Sequence, residues 1–449
     1  MTTRYAWLAL ASVPFAALLT AACSSDETSP PLDTNVDGGS DAVDGEATPP
    51  DAATDAGREA GPLVPPPPYD FTVKCTSDPC VTRLAARGGG HACVLLQGGS
   101  VRCWGSNDSG QLGTGNGDGG SLAKYESVPR QVLGIANATG ITAAGSGITG
   151  TTCVVYGAGD VACFGDDAWG QLGRGDEPSN RTNPDPVAIA GLRAKSVTLT
   201  GTFALAVGTD DRLWSWGAND ATQLARATPG PDAGTTNAPA HADRVAGAVL
   251  STGGTSKNGF VVTESGDVLS WGGTADQLGR ASSVTPDPTP KALAVSEASS
   301  VSASATHACA LSRGEILCWG QNDYGQLGTT RRADESFPAR VVLPDRAYAV
   351  AVAAGGNNTC AIMADGKLLC WGANGSGQIG AAADRDRPTP TIVDGLAEEP
   401  VAVAVMDASI CALLRSGTVR CWGDNLLGQL GRGTRDSKSH PESAPVVFK

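Results

Sequence analysis

The 449-residue sequence contains little of what catalysis, metal binding or nucleic-acid binding requires. Its formal net charge is −14, which excludes a protein that binds nucleic acid by counterion release, because such binding needs a basic face. It has only four histidines and no CxxC pair, whereas a zinc site needs four converging ligands. Neither a GxSxG nor an HExxH motif occurs. We therefore expect no metal, no cofactor, no nucleic-acid partner and no catalytic residue, and we predict that the chain is not an enzyme.

Aromatic residues make up 5% of the chain and charged residues 17%, and both fractions are low. Glycine is abundant instead, with 59 residues. Glycine is unfavourable inside helices, and no helix-length periodic segment occurs beyond the N-terminal apolar run. The composition therefore argues against a helical bundle and favours an all-β chain with many tight turns.

A two-part motif recurs seven times: an aromatic residue followed by glycine, and then Gln-Leu/Ile, usually followed by glycine, seven residues after the aromatic residue. The aromatic residues are Trp104, Phe164, Trp216, Trp271, Trp319, Trp371 and Trp422. The glutamines are Gln111, Gln171, Gln223, Gln277, Gln326, Gln378 and Gln429, of which Gln277 stands one residue nearer to its tryptophan. We expect the tryptophans to fill space between repeat units and the glutamines to satisfy backbone groups within them.

Each repeat carries short β-strand signals. In the first repeat, residues 91–96, 101–104, 128–133 and 141–144 are predicted strands separated by turns. Four strands in about 50 residues make one propeller blade. Residues 69–449 are therefore predicted to form a seven-bladed β-propeller of four-stranded antiparallel blades. We expect the C-terminal strand, residues 444–448, to close the ring by joining residues 81–86 in one blade; a frayed tail is the alternative.

The segment VAAGGNNTCAIMADGKLLCWGANGSGQIG, residues 352–380, resembles a repeat of the regulator of chromosome condensation family. The resemblance covers residues 81–449 and implies the same seven-bladed propeller. Phe164, Ala225 and Thr274 depart from the repeat pattern. The family includes nuclear guanine-nucleotide exchange factors, ubiquitin-ligase modules and secreted inhibitor propellers, so the resemblance implies no single function.

Residues 1–22 are predicted to be a secretory signal, because an apolar run too short to span a bilayer follows Arg4. The junction Thr20-Ala21-Ala22-Cys23 resembles the cleavage box of bacterial lipoprotein signals, with Leu19 one position farther from the cysteine than usual. The resemblance implies a lipid on Cys23 and, because no Asp follows it, an outer-membrane lipoprotein in the periplasm or at the cell surface. An ordinary cleaved signal is the alternative.

Residues 23–68 are predicted to be a disordered, acidic and proline-rich tether. The segment has ten acidic residues against one base, Arg58, and almost no large apolar residue that could form a core. Five of its side chains have the oxygen spacing of a calcium loop: Asp33, Asn35, Asp37, Asp41 and Asp44. This spacing is consistent with either of two interpretations, a calcium site or a solvated acidic spacer.

The thirteen cysteines fit one lipid anchor plus six disulfides. Five repeats have two cysteines, the second directly before the aromatic residue, and the other two repeats lack both members together. The predicted pairs are Cys93–Cys103, Cys153–Cys163, Cys309–Cys318, Cys360–Cys370 and Cys411–Cys421, with Cys75–Cys80 as a local sixth pair. An exported protein permits such bonds.

Two sets of residues are candidates for partner binding. Four arginines directly follow the Gln-Leu-Gly/Ala turn, and two aromatic residues share a loop position five residues past the motif aromatic: Arg174, Arg226, Arg280 and Arg432, and Trp169 and Tyr324. Equivalent repeat positions lie on one face, so the arginines are expected to form a solvated rim that binds carboxylates or phosphates. The alternatives are local salt bridges to acids such as Asp176 and Glu177 and, for the aromatic residues, capping of a neighbouring blade.

The leading functional expectation is a monomeric, non-catalytic, membrane-anchored binding propeller with a protein or glycan partner. A secreted propeller that inhibits an enzyme is the second hypothesis. A polysaccharide-active enzyme is the third, and it would need a pair of carboxylates at the channel mouth that the repeats do not supply.

Overall fold

The computed structural model describes residues 68–115, 122–175, 182–227, 235–329 and 331–449. Within these residues the chain forms 27 β-strands and two 3-10 helices, Ala275–Gln277 and Pro344–Arg346. None of the helices found there has the length and apolar character needed to cross a membrane. The predicted signal, Cys23 and the candidate calcium residues lie outside the described residues.

The strands form seven antiparallel units, called blades 1–7 here, each running from an inner first strand to an outer fourth strand. Blade 1 contains β1 (Val81–Ala85), β2 (His91–Leu96), β3 (Val101–Ser106) and β4 (Tyr125–Gln131). Blades 2 and 3 contain β5 (Ala138–Ser146), β6 (Thr149–Tyr156), β7 (Asp160–Gly165), β8 (Asn183–Leu199), β9 (Phe203–Gly208), β10 (Leu213–Ala218) and β11 (Thr235–His241).

The remaining four blades each have four strands of their own. Blade 4 contains β12 (Val249–Gly254), β13 (Asn258–Thr263), β14 (Val268–Gly272) and β15 (Asp287–Ala292). Blade 5 contains β16 (Ala298–Ala303), β17 (His307–Ser312), β18 (Glu315–Gly320) and β19 (Glu335–Arg340). Blade 6 contains β20 (Ala349–Gly355), β21 (Asn358–Met363), β22 (Leu368–Gly372) and β23 (Arg387–Ile392). Blade 7 contains β24 (Pro400–Val405), β25 (Ser409–Leu414), β26 (Val419–Gly423) and β27 (His440–Pro445).

Blades 2 and 3 form one continuous seven-stranded sheet because they share β8. The first part of this 17-residue strand pairs with β7 as the outer strand of blade 2, and the last part, from Ala194, pairs with β9 as the inner strand of blade 3. The other five blades are separate four-stranded sheets. The predicted all-β architecture of seven antiparallel blades is confirmed.

The core lies between blades. Among the described residues, seven clusters of buried apolar side chains each contain one motif aromatic residue, packed against the preceding blade. Trp216 of blade 3, for example, packs in one cluster with Leu172 of blade 2. The cluster that contains Trp104 of blade 1 also contains Leu430 of blade 7, so the last blade contacts the first and the ring is closed.

The expectation that the C-terminal strand joins the N-terminal strands in one blade is wrong. β27 pairs with β26 as the outer strand of blade 7, and β1 pairs with β2 as the inner strand of blade 1. The physical reason is that the first repeat supplies its own outer strand, β4, so blade 1 has no vacant edge. The strand set predicted for the first repeat is therefore shifted by one strand, and residues 141–144 belong to the inner strand of blade 2.

The segments on either side of β1 hold blades 1 and 7 together. Before β1, the backbone N–H of Lys74 donates to the carbonyl of Arg415 (2.7 Å). After β1, the N–H of Gly88 donates to the carbonyl of Val405 (2.9 Å). Ring closure thus uses backbone hydrogen bonds and the Trp104 cluster, with no exchange of strands.

Candidate functional site

The cysteines pair as predicted from the repeats. Each hairpin pair lies directly opposite in the register between the second and third strands, as Cys93 and Cys103 do with Cα atoms 4.1 Å apart. The structure contains Cys153–Cys163, Cys309–Cys318, Cys360–Cys370 and Cys411–Cys421 in the same arrangement, together with Cys75–Cys80. The hairpin bridges are buried, because opposite positions of these strands face the contact with a neighbouring blade.

The motif tryptophans connect neighbouring blades by a repeated hydrogen bond. The indole Nε1–H donates to the backbone carbonyl of the motif glutamine in the preceding blade, at 2.8 to 3.0 Å. Trp104 makes this bond to Gln429 across the closing interface at 2.8 Å. The side chain of Phe164 has no N–H group to donate. At the interface between blades 1 and 2, the hydroxyl of Thr152 donates to the carbonyl of Gln111 (2.8 Å) instead.

The glutamine side chains stabilise the loops between the third and fourth strands. Six of the seven accept a hydrogen bond at Oε1 from the backbone N–H two residues earlier, as Gln111 does from Ser109 at 2.8 Å. Gln277 stands one residue nearer to its tryptophan, and its loop closes as a 3-10 turn in which its N–H donates to the carbonyl of Thr274. The repeated glutamine and aromatic residues therefore have structural roles, as expected from the sequence.

The four arginines occupy equivalent places, but the expectation that they form a solvated rim is wrong. Each guanidinium donates to a third-strand carbonyl and to a fourth-strand carbonyl of its own blade. The acceptors are Cys163 and Asp185 for Arg174, Ser215 and Ala238 for Arg226, Ser270 and Thr289 for Arg280, and Cys421 and Glu442 for Arg432. The ladder between these strands shifts register at this point, so the guanidinium occupies an opening in the sheet.

Arg280 shows most clearly why these side chains are unsuited to binding a partner. It is 8% exposed and forms a buried ion pair with Asp287 at 2.9 Å. Burial alone would raise the pKa of Asp287, but hydrogen bonds from Thr289, Ser282 and Arg280 lower it to about 2. The loop acids Asp176 and Glu177, named as alternative partners, lie outside the described residues.

One side of the ring presents exposed apolar side chains. We call this side the loop face; it consists of the loops between first and second strands and between third and fourth strands, which meet where Gln111 Nε2 donates to the carbonyl of Ile148 (2.7 Å). Trp169 is 45% exposed and Tyr324 41% exposed on this face, which argues against capping of a neighbouring blade. Ile148 (48%) and Leu426 (51%) are also exposed there. The sequence did not indicate these two, because a single aliphatic residue in a loop belongs to no repeated pattern.

The first described residues lie on the opposite side, which we call the turn face. The hydroxyl of Tyr69 donates to the carbonyl of Pro400 (2.9 Å), where β24 begins. The N–H of Thr76 donates to the carbonyl of Ser416 (3.0 Å), in the turn between β25 and β26. The loop face is therefore not covered by this segment.

A second feature that the sequence did not indicate is Arg87, which lies two residues after the end of β1. Its Nη1 donates to the carbonyl of Leu199 in blade 3 (2.5 Å), and its Nη2 donates to the carbonyl of Gly254 in blade 4. Both acceptors lie on inner strands far around the ring from blade 1. The guanidinium therefore crosses the central channel, the space that the seven inner strands enclose.

His91 and His307 share one repeat position and are buried. Their Nε2 atoms lie within hydrogen-bond distance of Thr152 Oγ1 (3.1 Å) and Thr359 Oγ1 (2.8 Å) in the next blade. Burial lowers the pKa of His91 to about 4, and burial together with the charge of Arg87 lowers the pKa of His307 to about 3. Both imidazoles are neutral at pH 7 and connect blades, which suits a structural role rather than that of a catalytic base.

Over the part of the chain that the structure describes, no group of three or more His, Cys, Asp or Glu side chains is placed to hold a metal ion. The arrangement instead combines a rigid ring, an apolar loop face and one cation in the channel. These features suit the binding of another molecule.

Comparison with known proteins agrees with this architecture. Residues 63–405 match the family model of the RCC1-like domain, and residues 407–429 match that of the regulator of chromosome condensation (RCC1) repeat. The chain belongs to the RCC1-like domain family. The resemblance inferred from residues 352–380 is thereby confirmed.

Among RCC1-like relatives, the ultraviolet-B receptor UVR8 of Arabidopsis thaliana is 27% identical over 375 residues, which cover 82% of each chain. The mouse E3 ubiquitin-protein ligase HERC2 is 28% identical over 243 residues, but the match covers only 5% of HERC2. The solved structure of Prp20p from Saccharomyces cerevisiae superposes with a TM-score of 0.65 at 19% identity, covering 85% of this chain and 91% of Prp20p. That likeness establishes the shared fold.

Proposed function

We propose that this protein is a non-catalytic binding scaffold that presents its loop face to a protein or glycan partner outside the cytoplasm. The observation that carries the proposal is the pair of exposed aromatic side chains on hydrogen-bonded loops. The backbone of Trp169 is held by Gln171 Oε1 (2.8 Å) and that of Tyr324 by Gln326 Oε1 (3.0 Å). Exposed aromatic side chains on rigid loops provide contact area at low entropic cost and are typical interface anchors.

Membership of the RCC1-like family supports a protein-binding role in general terms. A yeast relative with this fold, Prp20, is known in a crystal structure with Kap60, and its binding to Gsp1p and histones has been described. An exported chain would meet none of these partners. Only the general role of a propeller that binds other proteins is therefore carried over.

We further propose that a lipid on Cys23 anchors the protein in the outer membrane. Six disulfides support an oxidising compartment, such as the periplasm or the cell surface. The described residues before β1 lie on the turn face and leave the loop face accessible to a partner.

Membrane fractionation of a Cys23→Ala variant tests the anchor. The variant is expected to move from the membrane pellet to the soluble fraction, whereas the neighbouring Ser24→Ala variant should stay in the pellet. Retention of Cys23→Ala in salt-washed membranes would show that Cys23 does not anchor the protein. That result would leave the binding proposal for the loop face untouched.

Crosslinking in intact cells tests the loop face. The double variant Trp169→Ala with Tyr324→Ala should lose the crosslinked partner. Phe337→Ala is the matched control, because Phe337 is a 56% exposed aromatic residue that stands on the outer strand β19 and not on a loop. If the double variant captures the same partner at the same yield as Phe337→Ala, the loop-face proposal is wrong.

A second candidate is a propeller that inhibits an enzyme, and the placement of both aromatic loops on one face favours it. This function would use the same surface, with the aromatic side chains inserted into an active site. Identification of the crosslinked partner separates the two. An inhibitor should capture an enzyme whose turnover falls on stoichiometric addition of this protein and recovers with the double variant.

A further inference from the structure

Arg87 carries a positive charge that its surroundings do not neutralise. Among the described residues no carboxylate lies within ion-pairing distance of it, and its two hydrogen-bond acceptors are neutral carbonyls. A guanidinium has five N–H donors, so three remain beyond those used by Leu199 and Gly254. Burial lowers the pKa of Arg87 only to about 10, and the side chain stays charged at pH 7.

The residue as a whole is nevertheless only half-buried. Its backbone is fixed on both sides: the carbonyl of Arg87 accepts from the N–H of Gly145 (3.1 Å), and the N–H of Gly88 donates to the carbonyl of Val405 (2.9 Å). A Cβ atom on Gly88, which has φ +57°, would lie 2.6 Å from the oxygen of Gly145. Glycine therefore permits the close approach that directs Arg87 across the ring.

The acid at the same end of the channel does not serve as a counterion. Asp407 Oδ2 accepts a hydrogen bond from the backbone N–H of Gly147 (2.8 Å), and Asp407 forms no ion pair with Arg87. Burial raises the pKa of Asp407 above its usual value, although the hydrogen bonds from Gly147 and Gly89 act in the opposite direction. The charge of Arg87 therefore remains available to a ligand that enters from solvent.

We propose that Arg87 makes the central channel a binding site for a small oxyanion, such as phosphate or a carboxylate. The hydrogen bonds to the two carbonyls do not explain why this position carries a charged side chain, because the neutral amide of a glutamine also donates two hydrogen bonds. The planar fork of a guanidinium matches the oxygen spacing of both anions. The proposal is independent of the loop-face function, because a small ion can occupy the channel whether or not a macromolecular partner binds.

Isothermal titration of the full-length protein with sodium phosphate and with sodium acetate, against sodium chloride at equal ionic strength, tests the site. Wild type should bind at least one of the two oxyanions saturably at one site per chain. Arg87→Gln should weaken that binding at least about tenfold, because the charge-assisted bonds are lost. Arg340→Gln is the matched control: it removes the same charge from an exposed position on the outer strand β19 and should leave the binding unchanged.

Two further measurements distinguish loss of the binding site from a folding defect in Arg87→Gln. Arg87→Lys keeps the charge but not the fork, and it should bind with intermediate affinity and an unchanged circular dichroism spectrum. In wild-type crystals soaked with selenate, the anomalous selenium peak should lie in the channel beside the Arg87 guanidinium, with selenate oxygens within hydrogen-bond distance of it. Absence of binding to wild type, equal binding by Arg87→Gln, or a selenium peak only outside the channel would each overturn the proposal.

Discussion

The carbonyl of each motif glutamine is a buried acceptor, and the number of donors that reach it differs between interfaces. Gln223 receives only the indole N–H of Trp271 (2.8 Å) among the hydrogen bonds of the described residues. Gln326 receives both the indole of Trp371 (2.9 Å) and the hydroxyl of Thr359 (2.8 Å). The same substitution should therefore have different costs at the two interfaces.

Trp271→Phe should lower the free energy of unfolding by about 1–3 kcal/mol more than Trp371→Phe, because it leaves the Gln223 carbonyl without a donor. Both changes remove the same ring atoms, so the loss of apolar surface is matched. Urea denaturation of the two variants measures the difference. Equal losses would show that the indole hydrogen bond contributes nothing beyond packing.

The two buried histidines make stability depend on pH. The unfolded chain binds a proton on His307 below pH 6.5, whereas the folded imidazole remains neutral down to about pH 3 because it is buried and lies near Arg87. Above pH 6.5 the imidazole is neutral in both states, so the depressed pKa costs no stability. As the pH falls from 6.5 towards 3, only the unfolded chain gains a proton on His307, and the free energy of unfolding therefore decreases.

His307→Asn should reduce the loss of stability in acid, since asparagine occupies the equivalent position at Asn258 and Asn358. Between pH 6.5 and 4, the free energy of unfolding of wild type should fall more steeply than that of the variant, by about 1.4 kcal/mol per pH unit. Urea midpoints measured across this range test the slope. Parallel pH profiles would show that His307 titrates normally in the folded protein.

At the scale of elements, the hairpin of the second and third strands is crosslinked by a disulfide in some blades but not in others. Five blades have a disulfide, while blades 3 and 4 have Ser215 and Ser270 where the second cysteine would be. There the arginine Nε donates to the serine hydroxyl, at 3.2 Å for Arg226 and 3.1 Å for Arg280. In these blades, hydrogen bonds from the arginine join the third strand to the fourth.

Arg280→Met should destabilise the fold by about 3 kcal/mol, because it leaves the buried carboxylate of Asp287 without its closest cation. Adding Asp287→Asn should recover part of the lost stability, because it removes the buried carboxylate charge that Arg280 no longer neutralises. Thermal unfolding of the single and double variants tests both expectations. A single variant as stable as wild type would support the solvated-rim interpretation that the hydrogen bonds contradict.

The disulfides should differ in their resistance to reduction. Cys75 is exposed, whereas the ten hairpin cysteines are buried at blade interfaces. Mild phosphine treatment followed by alkylation should therefore label Cys75 and Cys80 first, since exchange requires access to the sulfur. Mass spectrometry of the native protein over time measures the order. Earlier labelling of a hairpin pair would mean that the blades open more readily than the N-terminal segment does.

For the whole molecule, the interface between blades 1 and 7 is the one that closes the ring, because it joins the first blade to the last. The segment before β1 contributes to it from the turn face. Val73 packs against the apolar cluster between blades 1 and 7. Tyr69 packs against the neighbouring cluster between blades 6 and 7, and its ring lies 5.6 Å from the Arg415 guanidinium. Asp70 adds an ion pair with Arg415 at 3.2 Å, which is exposed and weak by itself.

Removal of residues 1–73 should reduce stability by about 1–2 kcal/mol, because it uncovers the apolar surface beneath Val73 at the closing interface and beneath Tyr69 beside it. Removal of residues 1–67 is the control, since it retains Tyr69 and Asp70. Urea denaturation and limited proteolysis at the turn after β25 compare the two truncations. If both behave alike, the segment does not contribute to closing the ring.

The sequence by itself determined the features that repeat. Seven aromatic and glutamine pairs at a nearly constant offset indicated seven blades, and the joint presence or absence of two cysteines indicated which of them face each other. Such patterns are readable because each depends on local geometry: opposite positions in a hairpin lie close together whatever the rest of the chain does. The burial of Trp104 and its six counterparts follows from the same periodic placement.

Only the tertiary structure decided the roles of residues whose partners lie on other strands or in other blades. The four arginines look exposed in sequence because they follow a turn, yet the register shift between the third and fourth strands opens a space that receives each guanidinium. The position of β4 showed that blade 1 needs no strand from the C-terminus. Arg87 meets carbonyls 112 and 167 residues away. Contacts across a closed ring depend on the curvature that all seven interfaces produce together, and no local pattern in the sequence records it.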